Sequence, residues 1–304
     1  VETRRIGSLE VSVVGLGCNN FGRRIDEAAT RAVLEVALEQ GITFLDTADN
    51  YGDGRSEAFI GRALGARRDE VVIATKFGGW RSDLDREGGA SPAYIHEAVD
   101  ASLERLGTDR IDLYQLHTPD AATPIAETLA ALDELVRVGK VREIGCSNFT
   151  TEQLREADDA ARAAGTARFA SVQNDYSLLE SRDPAVTEAE RLDISYIPYS
   201  PLASGLLTGK FARGEAPPAG TRIANWSPED RDELLTDANW DRVERLTQAA
   251  TERGHTLLEL AFAWLLSQPV VASVIAGATH PDQVRANAAA AAWRLEPAEV
   301  DALR

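Results

Sequence analysis

Val14-Gly15-Leu16-Gly17-Cys18-Asn19-Asn20 is the stretch on which the choice between two α/β architectures turns. An apolar strand running into Gly-x-Gly is how the open, doubly wound sheet begins its dinucleotide fingerprint, G-x-G-x-x-G. The third glycine there lets the following helix pack close to the strand. Asn20 stands in its place, and Phe21-Gly22-Arg23-Arg24 delays the helix that would receive a pyrophosphate. The doubly wound sheet is therefore disfavoured, and any dinucleotide bound by this chain is bound without that fingerprint.

Outward from this junction, short apolar or β-branched runs alternate with amphipathic stretches almost from end to end, as in repeated βαβ units around a parallel sheet. Runs at 13–17, 43–46, 71–76, 111–117, 143–147, 170–174, 195–200 and 273–277 read as strands. Eight strands suit closure into a (β/α)8 TIM barrel, and 304 residues fit that α/β fold as one domain spanning 1–304. The helices carry their own punctuation. Asp26 caps a helix with Thr30, Val33, Leu34, Ala37 and Leu38 on one face, and Gly41 ends it. Ser91-Pro92 and Thr123-Pro124 read as a capping hydroxyl followed by proline at the first helical position, while Gly107 and Gly139 read as stops. Two segments break the rhythm. Residues 4–6 and 10–13 flank Gly7-Ser8 as an N-terminal β-hairpin that plugs the barrel floor, and a long irregular loop over 210–240 follows strand seven.

Composition narrows the function. The formal charge of -17, from 32 Lys+Arg against 49 Asp+Glu, repels nucleic acid and acidic membrane surfaces. No apolar run reaches the ~20 residues that span a bilayer, and Val1-Glu2-Thr3-Arg4-Arg5 is not a signal peptide, so a cytoplasmic location is expected. Cys18 and Cys146 each follow a strand and are expected to be reduced, half-buried thiols. Neither has metal-ligand spacing, and no metal is expected.

Reactive groups of a (β/α)8 barrel belong at the C-terminal ends of its strands. Asp46, Lys76 and His117 stand at three consecutive strand ends, and Tyr51 follows Asp46 by five residues. Singly, Asp46 is a turn residue, Tyr51 a rim aromatic and His117 a satisfied imidazole. Lys76 is harder to explain that way, because a lysine closing a buried strand needs a counter-charge, which Asp46 one strand away supplies. Together they suit carbonyl reduction. Hydride delivery to a carbonyl carbon puts negative charge on its oxygen, which then needs a proton donor and a fixed polar environment. Tyr51 is the expected donor, Lys76 is expected to lower its pKa, Asp46 keeps Lys76 charged, and His117 orients the substrate oxygen.

At this point the residues resemble the aldo-keto reductase superfamily, from Gly15 to Asn287. Phe44-Leu45-Asp46-Thr47-Ala48-Asp49-Asn50-Tyr51-Gly52 and Ile73-Ala74-Thr75-Lys76 are similar to that family's signatures, which implies that Asp46, Tyr51, Lys76 and His117 are its catalytic tetrad. The resemblance implies NADPH extended across the barrel mouth, without a metal, and a small-molecule carbonyl or alcohol substrate. It places Cys18 and Asn19 on the cofactor track, with Ser147, Asn148 and Gln173 at the carboxamide and Tyr199 on the nicotinamide ring. Ser200, Pro201, Leu202, Ala203, Ser204 and Gly205 would fold over the pyrophosphate, joined by Lys210 and Arg222. Gly277, Ala278, Thr279, Gln283 and Asn287 resemble the segment at the adenosine, the last three sharing a helix face if the helix begins early enough. Ala286 stands where many relatives carry an acidic adenine contact, and His280 where a cation is common, so NADH is admitted beside NADPH. Asn20, Phe21, Trp80 and Trp226 are expected to wall the substrate pocket beside Tyr51 and His117.

The resemblance also implies an alternative from another class. The β subunits of potassium channels are nicotinamide-binding regulatory proteins similar around the aspartate, tyrosine and lysine, but they depart at the histidine. His117 favours turnover. A non-redox barrel using Lys76 as a Schiff-base nucleophile is disfavoured by the cofactor-like C-terminal segment.

Overall fold

The computed structural model of the chain describes residues 1–79 and 89–303. Among the described residues, ten strands form two sheets. β1 (Thr3–Ile6) and β2 (Leu9–Ser12) are an antiparallel hairpin. β3 (Val14–Gly17), β4 (Phe44–Asp46), β5 (Val72–Phe77), β6 (Ile111–Leu116), β7 (Val141–Ser147), β8 (Ser171–Asp175), β9 (Ser195–Tyr199) and β10 (Val274–Gly277) are all parallel, in the order β10-β3-β4-β5-β6-β7-β8-β9. The two end strands meet: the Tyr196 N–H donates to Val270 O at 2.8 Å, and the Ala272 N–H to Tyr196 O at 3.0 Å, from the segment entering β10. The sheet is thus the expected (β/α)8 TIM barrel.

The hairpin closes its floor for a plain hydrophobic reason. Ile6, Leu9 and Val11 form one buried cluster with the interior side chains Phe44, Ala74, Leu113, Ile197, Ala272 and Ile275. Polar contacts fix the plug at the strand beginnings: Ser12 Oγ accepts from the N–H groups of Thr43 and Phe44, and Arg4 donates to the carbonyls of Leu266, Gln268 and Val271. The opposite, C-terminal mouth is left for chemistry.

The helices are α1 (Glu27–Glu39), α2 (Arg55–Leu64), α3 (Pro92–Leu106), α4 (Ile125–Arg137), α5 (Thr151–Ala164), α6 (Ala185–Leu192), α7 (Pro228–Leu234), α8 (Asp237–Thr251), α9 (Leu257–Leu266), α10 (Pro281–Ala290) and α11 (Pro297–Ala302). Asp26 caps α1 as expected, accepting from the Ala29 N–H at 2.9 Å. Thr123 does not cap α4. Its hydroxyl donates to Asp120 at 2.8 Å, and Pro124 itself is the cap residue, so the helix begins one residue later than the Thr-Pro pair suggests. The 210–240 segment is also more ordered than its glycines and prolines suggest, because Ser227 and Thr236 cap α7 and the start of α8. α9 is apolar all round because it is covered on both sides. It packs on β10 and against α8 and α10, and Trp264 Nε1 donates to Val300 O of α11 at 3.1 Å. Cys18, just after β3, and Cys146, inside β7 rather than after it, are free and fully buried, deeper than expected. No described helix is long and apolar enough to cross a membrane.

Candidate active site

Two adjacent strands deliver a buried charge pair to the barrel mouth. Asp46 ends β4, Lys76 is the last residue but one of β5, and both are almost wholly buried. Lys76 Nζ donates to Asp46 Oδ1 at 2.5 Å and to Thr47 O at 3.0 Å. The second carboxylate oxygen is not idle: Asp46 Oδ2 accepts from Gln173 Nε2 of β8 at 2.8 Å and from Gln115 Nε2 of β6 at 3.1 Å. A buried carboxylate survives only when so supplied with donors.

Tyr51 hangs over this pair. Its hydroxyl and the Lys76 ammonium share a hydrogen bond, and Nζ lies 5.2 Å from the ring centroid. The His117 ring meets Tyr51 edge-on, with centroids 5.9 Å apart and an interplanar angle of 79°. Lys76 acts on the Tyr51 pKa in the expected downward direction, but it does not set the net result. Burial raises it most, Lys76 pulls it down, Asp46 pushes it up, and the net direction is upward. Tyr51 therefore keeps its proton at neutral pH. For Lys76 burial is again the largest influence and acts downward, but Asp46 and Tyr51 outweigh it, so the ammonium stays charged.

The turn that carries Tyr51 is braced from below. Thr47 and Ser56 hydroxyls meet at 2.8 Å, Ser56 Oγ donates to Cys18 O, and a Cβ on Gly52 (φ 59°) would lie 2.8 Å from Phe21 O. Phe21 belongs to this brace. It is fully buried in the main core and does not line the mouth, which corrects its expected place on the pocket wall. His117 is set by the chain around it: its N–H donates to Phe77 O at 2.8 Å, and its carbonyl accepts from Asn148 Nδ2 at 2.9 Å. Gly79 faces the imidazole so closely that a Cβ there would lie 2.8 Å from His117 Cγ. Its φ is not of the kind only glycine adopts, so Gly79→Ala is a steric probe chiefly of the imidazole, with the Asn50 amide nitrogen next at 3.0 Å. We expect it to cut any turnover that needs His117 by about a hundredfold, as a misplacement of order 1 Å does, with thermal stability nearly unchanged. Steady-state rates beside a melting curve check this.

From Tyr51 a cavity of about 800 Å³ runs across the mouth. Its wall includes Cys18, Asn19, Asn20, Asp46, His117, Ser147, Asn148, Gln173, Tyr199, Ser200, Pro201, Leu202, Ser204, Gly205, Lys210, Arg222, Gly277, Thr279, Gln283 and Asn287, so the sequence-predicted track is brought together. Ala203, Ala278 and Trp226 are not among the lining residues, and Trp80 lies outside the described residues. Ala278 is buried behind the wall, and Trp226 is partly covered within the segment between the short 3-10 turn Ile223–Asn225 and α7. Arg24, Thr208, Gly220, Thr221, Leu258 and Ile275 are wall residues that no motif announced.

Two stretches of wall have unusual backbone. Asn148 (φ 62°) is left-handed, which lets its amide donate to His117 O and Ser147 Oγ while its oxygen accepts from the Tyr199 hydroxyl at 2.8 Å. Ser200, Ala203, Ser204 and Gly205 have φ of 51°, 44°, 56° and 104°. Such conformations cost energy in non-glycine residues and gather at ligand-clamping loops. At the far end, Thr279 precedes the His280 cap of α10 and so stands ahead of the helix face rather than on it. Its N–H donates to Gln283 Oε1 at 2.7 Å, and Gln283 and Asn287 continue the wall along α10.

Charge runs against the acidic whole. Among the described lining residues Asp46 is the only carboxylate, whereas Arg24, Lys210 and Arg222 are all present. Arg24 donates to Gly220 O at 2.7 Å, and Arg222 to Asn19 Oδ1 at 3.0 Å, which ties the long loop to the first βα loop. Burial first, and then repulsion from Arg24, holds Lys210 and Arg222 below their ordinary pKa values. Crowded, partly desolvated cations of this kind fit an extended polyanion such as a dinucleotide.

Residues 13–304 match the sequence profile of the aldo/keto reductase family. The chain is 36% identical over 301 residues to the aldo-keto reductase YhdN of Bacillus subtilis, covering 94% of this chain and 87% of that protein. It is 35% identical over 288 residues to a probable voltage-gated potassium channel subunit beta of Arabidopsis thaliana (92% and 87%), and 31% identical over 294 residues to the L-glyceraldehyde 3-phosphate reductase of Escherichia coli (92% and 84%). The chain belongs to the aldo/keto reductase family, whose members are generally NAD(P)H-dependent oxidoreductases.

Proposed function

We propose that the protein is an NADPH-dependent carbonyl reductase that reversibly converts small or medium aldehydes, ketones or sugar-like carbonyls to alcohols. The observation that carries this reading is the meeting of Tyr51, Lys76, Asp46 and His117 at one end of a cavity whose remaining wall gathers Arg24, Lys210 and Arg222. Reduced nicotinamide, when bound, supplies the hydride. Ser147, Asn148 and Gln173 would hold its carboxamide, Tyr199 its ring face, residues 200–205 with Lys210 and Arg222 its phosphates, and Thr279, Gln283 and Asn287 its adenosine.

The chain's own residues manage the proton. His117 hydrogen-bonds the substrate oxygen and directs it towards Tyr51. The Tyr51 hydroxyl gives its proton to that oxygen as negative charge develops there, and the Lys76 ammonium stabilises the phenolate left behind. Asp46 holds Lys76 in place. Alcohol oxidation runs the same steps backwards.

The test is absorbance at the reduced-nicotinamide band with NADPH or NADH and a panel of aldehydes, ketones and diketones. We expect turnover with both dinucleotides and an apparent affinity for NADPH higher by about tenfold or more, the worth of one or two charge-assisted hydrogen bonds to its extra phosphate. The potassium-channel relative supports a second reading, a nicotinamide-binding regulatory protein. Tight dinucleotide binding with no turnover on any carbonyl would select it.

A further inference from the structure

Gln115 belongs to no motif and sits in an otherwise apolar run, Leu113-Tyr114-Gln115-Leu116, yet its amide is fully buried in the barrel. A buried amide is costly unless its hydrogen bonds are met. Here they are met by functional groups: Gln115 Nε2 donates to Asp46 Oδ2 at 3.1 Å, and Gln115 Oε1 accepts from Gln173 Nε2 at 3.2 Å. Gln173 Nε2 also donates to the same carboxylate oxygen at 2.8 Å, while Lys76 takes the other oxygen.

We propose that Gln115 is a positioning residue that sets how much of the Asp46 charge reaches Lys76 and Tyr51, and that steadies Gln173 at the cavity wall. The inference rests on the reading of Tyr51 as proton donor. Each N–H given to Oδ2 draws negative charge away from the Oδ1 side. Removing one leaves a less compensated carboxylate, which holds the Lys76 ammonium harder and, because Asp46 already opposes ionisation of Tyr51, makes the tyrosine proton harder to release. The other titratable or charged groups facing Tyr51 are Lys76 from β5, His117 after β6, Cys18 after β3, Tyr199 from β9 and Arg222 from the long loop. Gln115 bonds Asp46 directly, so a shift in the Tyr51 titration reports the Asp46 route.

The experiment is the pH profile of kcat/KM in both directions for Gln115→Leu and Gln115→Glu, beside the parent and Tyr51→Phe, with NADPH affinity from fluorescence and a melting temperature for each. Gln115→Leu should move the limb that reports Tyr51 upward by about one pH unit and lower kcat about tenfold, the size of one lost hydrogen bond to a charged group. In Gln115→Glu the introduced carboxyl stands beside Asp46, so it donates like the amide when protonated and repels when ionised. That profile should gain a new limb above the ordinary carboxylate range, with activity lost as pH rises through it. If both variants keep the parent's profile and lose only melting temperature, Gln115 merely braces the barrel and the proposal fails. Should Gln115→Leu not fold, the new limb of Gln115→Glu decides alone. Turnover surviving in Tyr51→Phe would sink the donor reading and this proposal together, whereas an inactive Tyr51→Phe beside unshifted Gln115 profiles sinks this proposal only.

Discussion

Tyr51→Phe is expected to lower carbonyl reduction by a factor of about a hundred to ten thousand, the usual range for losing a general acid, with NADPH affinity changed less than about twofold. Only the hydroxyl is removed. The ring keeps its edge contact with His117, and Lys76 keeps Asp46 and the Thr47 carbonyl. The pH dependence follows from the upward direction of the Tyr51 pKa, caused first by burial. Reduction needs the protonated form, so it should hold through neutrality and fall only as pH climbs past that raised value. Oxidation needs the phenolate and should quicken with alkalinity over the same interval. Both dependences should vanish in the variant. Stopped-flow single turnovers with prebound cofactor, beside a binding titration, separate chemistry from affinity. Lost binding with turnover preserved would overturn the assignment of Tyr51.

The fold was legible because a parallel barrel buries its strands on both faces, and such strands must be written as short apolar runs at repeated spacing. The rejected third glycine at Asn20 removed the competing sheet, and closure through Tyr196, Val270 and Ala272 agrees with that choice. Local chemistry was less legible where one residue type serves two purposes. Thr123 precedes a proline as a cap would, yet a nearby acceptor, Asp120, takes its hydroxyl. Glycines and prolines over 210–222 concealed the caps Ser227 and Thr236 just beyond them. At the site, Asp46, Lys76 and His117 could be found because strand ends are where a barrel exposes its chemistry. Phe21 was misplaced because a loop aromatic next to a site can as well support it from beneath. Gln115 escaped notice because its partners, Asp46 and Gln173, are far from it in sequence and meet it only across the barrel interior. A lone polar residue inside a buried strand was the signal that could have found it.

Lys76→Met is expected to cost about 3–5 kcal/mol of stability, because it leaves a buried carboxylate without its counter-ion. Asp46 is only 2% exposed, and the amides of Gln115 and Gln173 supply hydrogen bonds but no charge. Reduction should also fall at least about a hundredfold, since no ammonium remains to stabilise the Tyr51 phenolate. One substitution cannot apportion these two losses, but a second one can. Adding Asp46→Asn removes the unpaired charge and keeps an oxygen to accept from both glutamines, so most of the stability should return while the activity should not. Urea titrations of parent, single and double variants give the first half, provided the slopes agree and the midpoints carry the difference. Reduction rates at a temperature where all three are folded give the second. A single variant as stable as the parent would mean that Asp46 is not held as a charge dependent on Lys76. Activity recovered in the double variant would mean that Lys76 serves only to neutralise Asp46. If stability returns without activity, the ammonium acts on Tyr51 itself, and the lysine at the end of β5 is there for the proton as well as for the barrel.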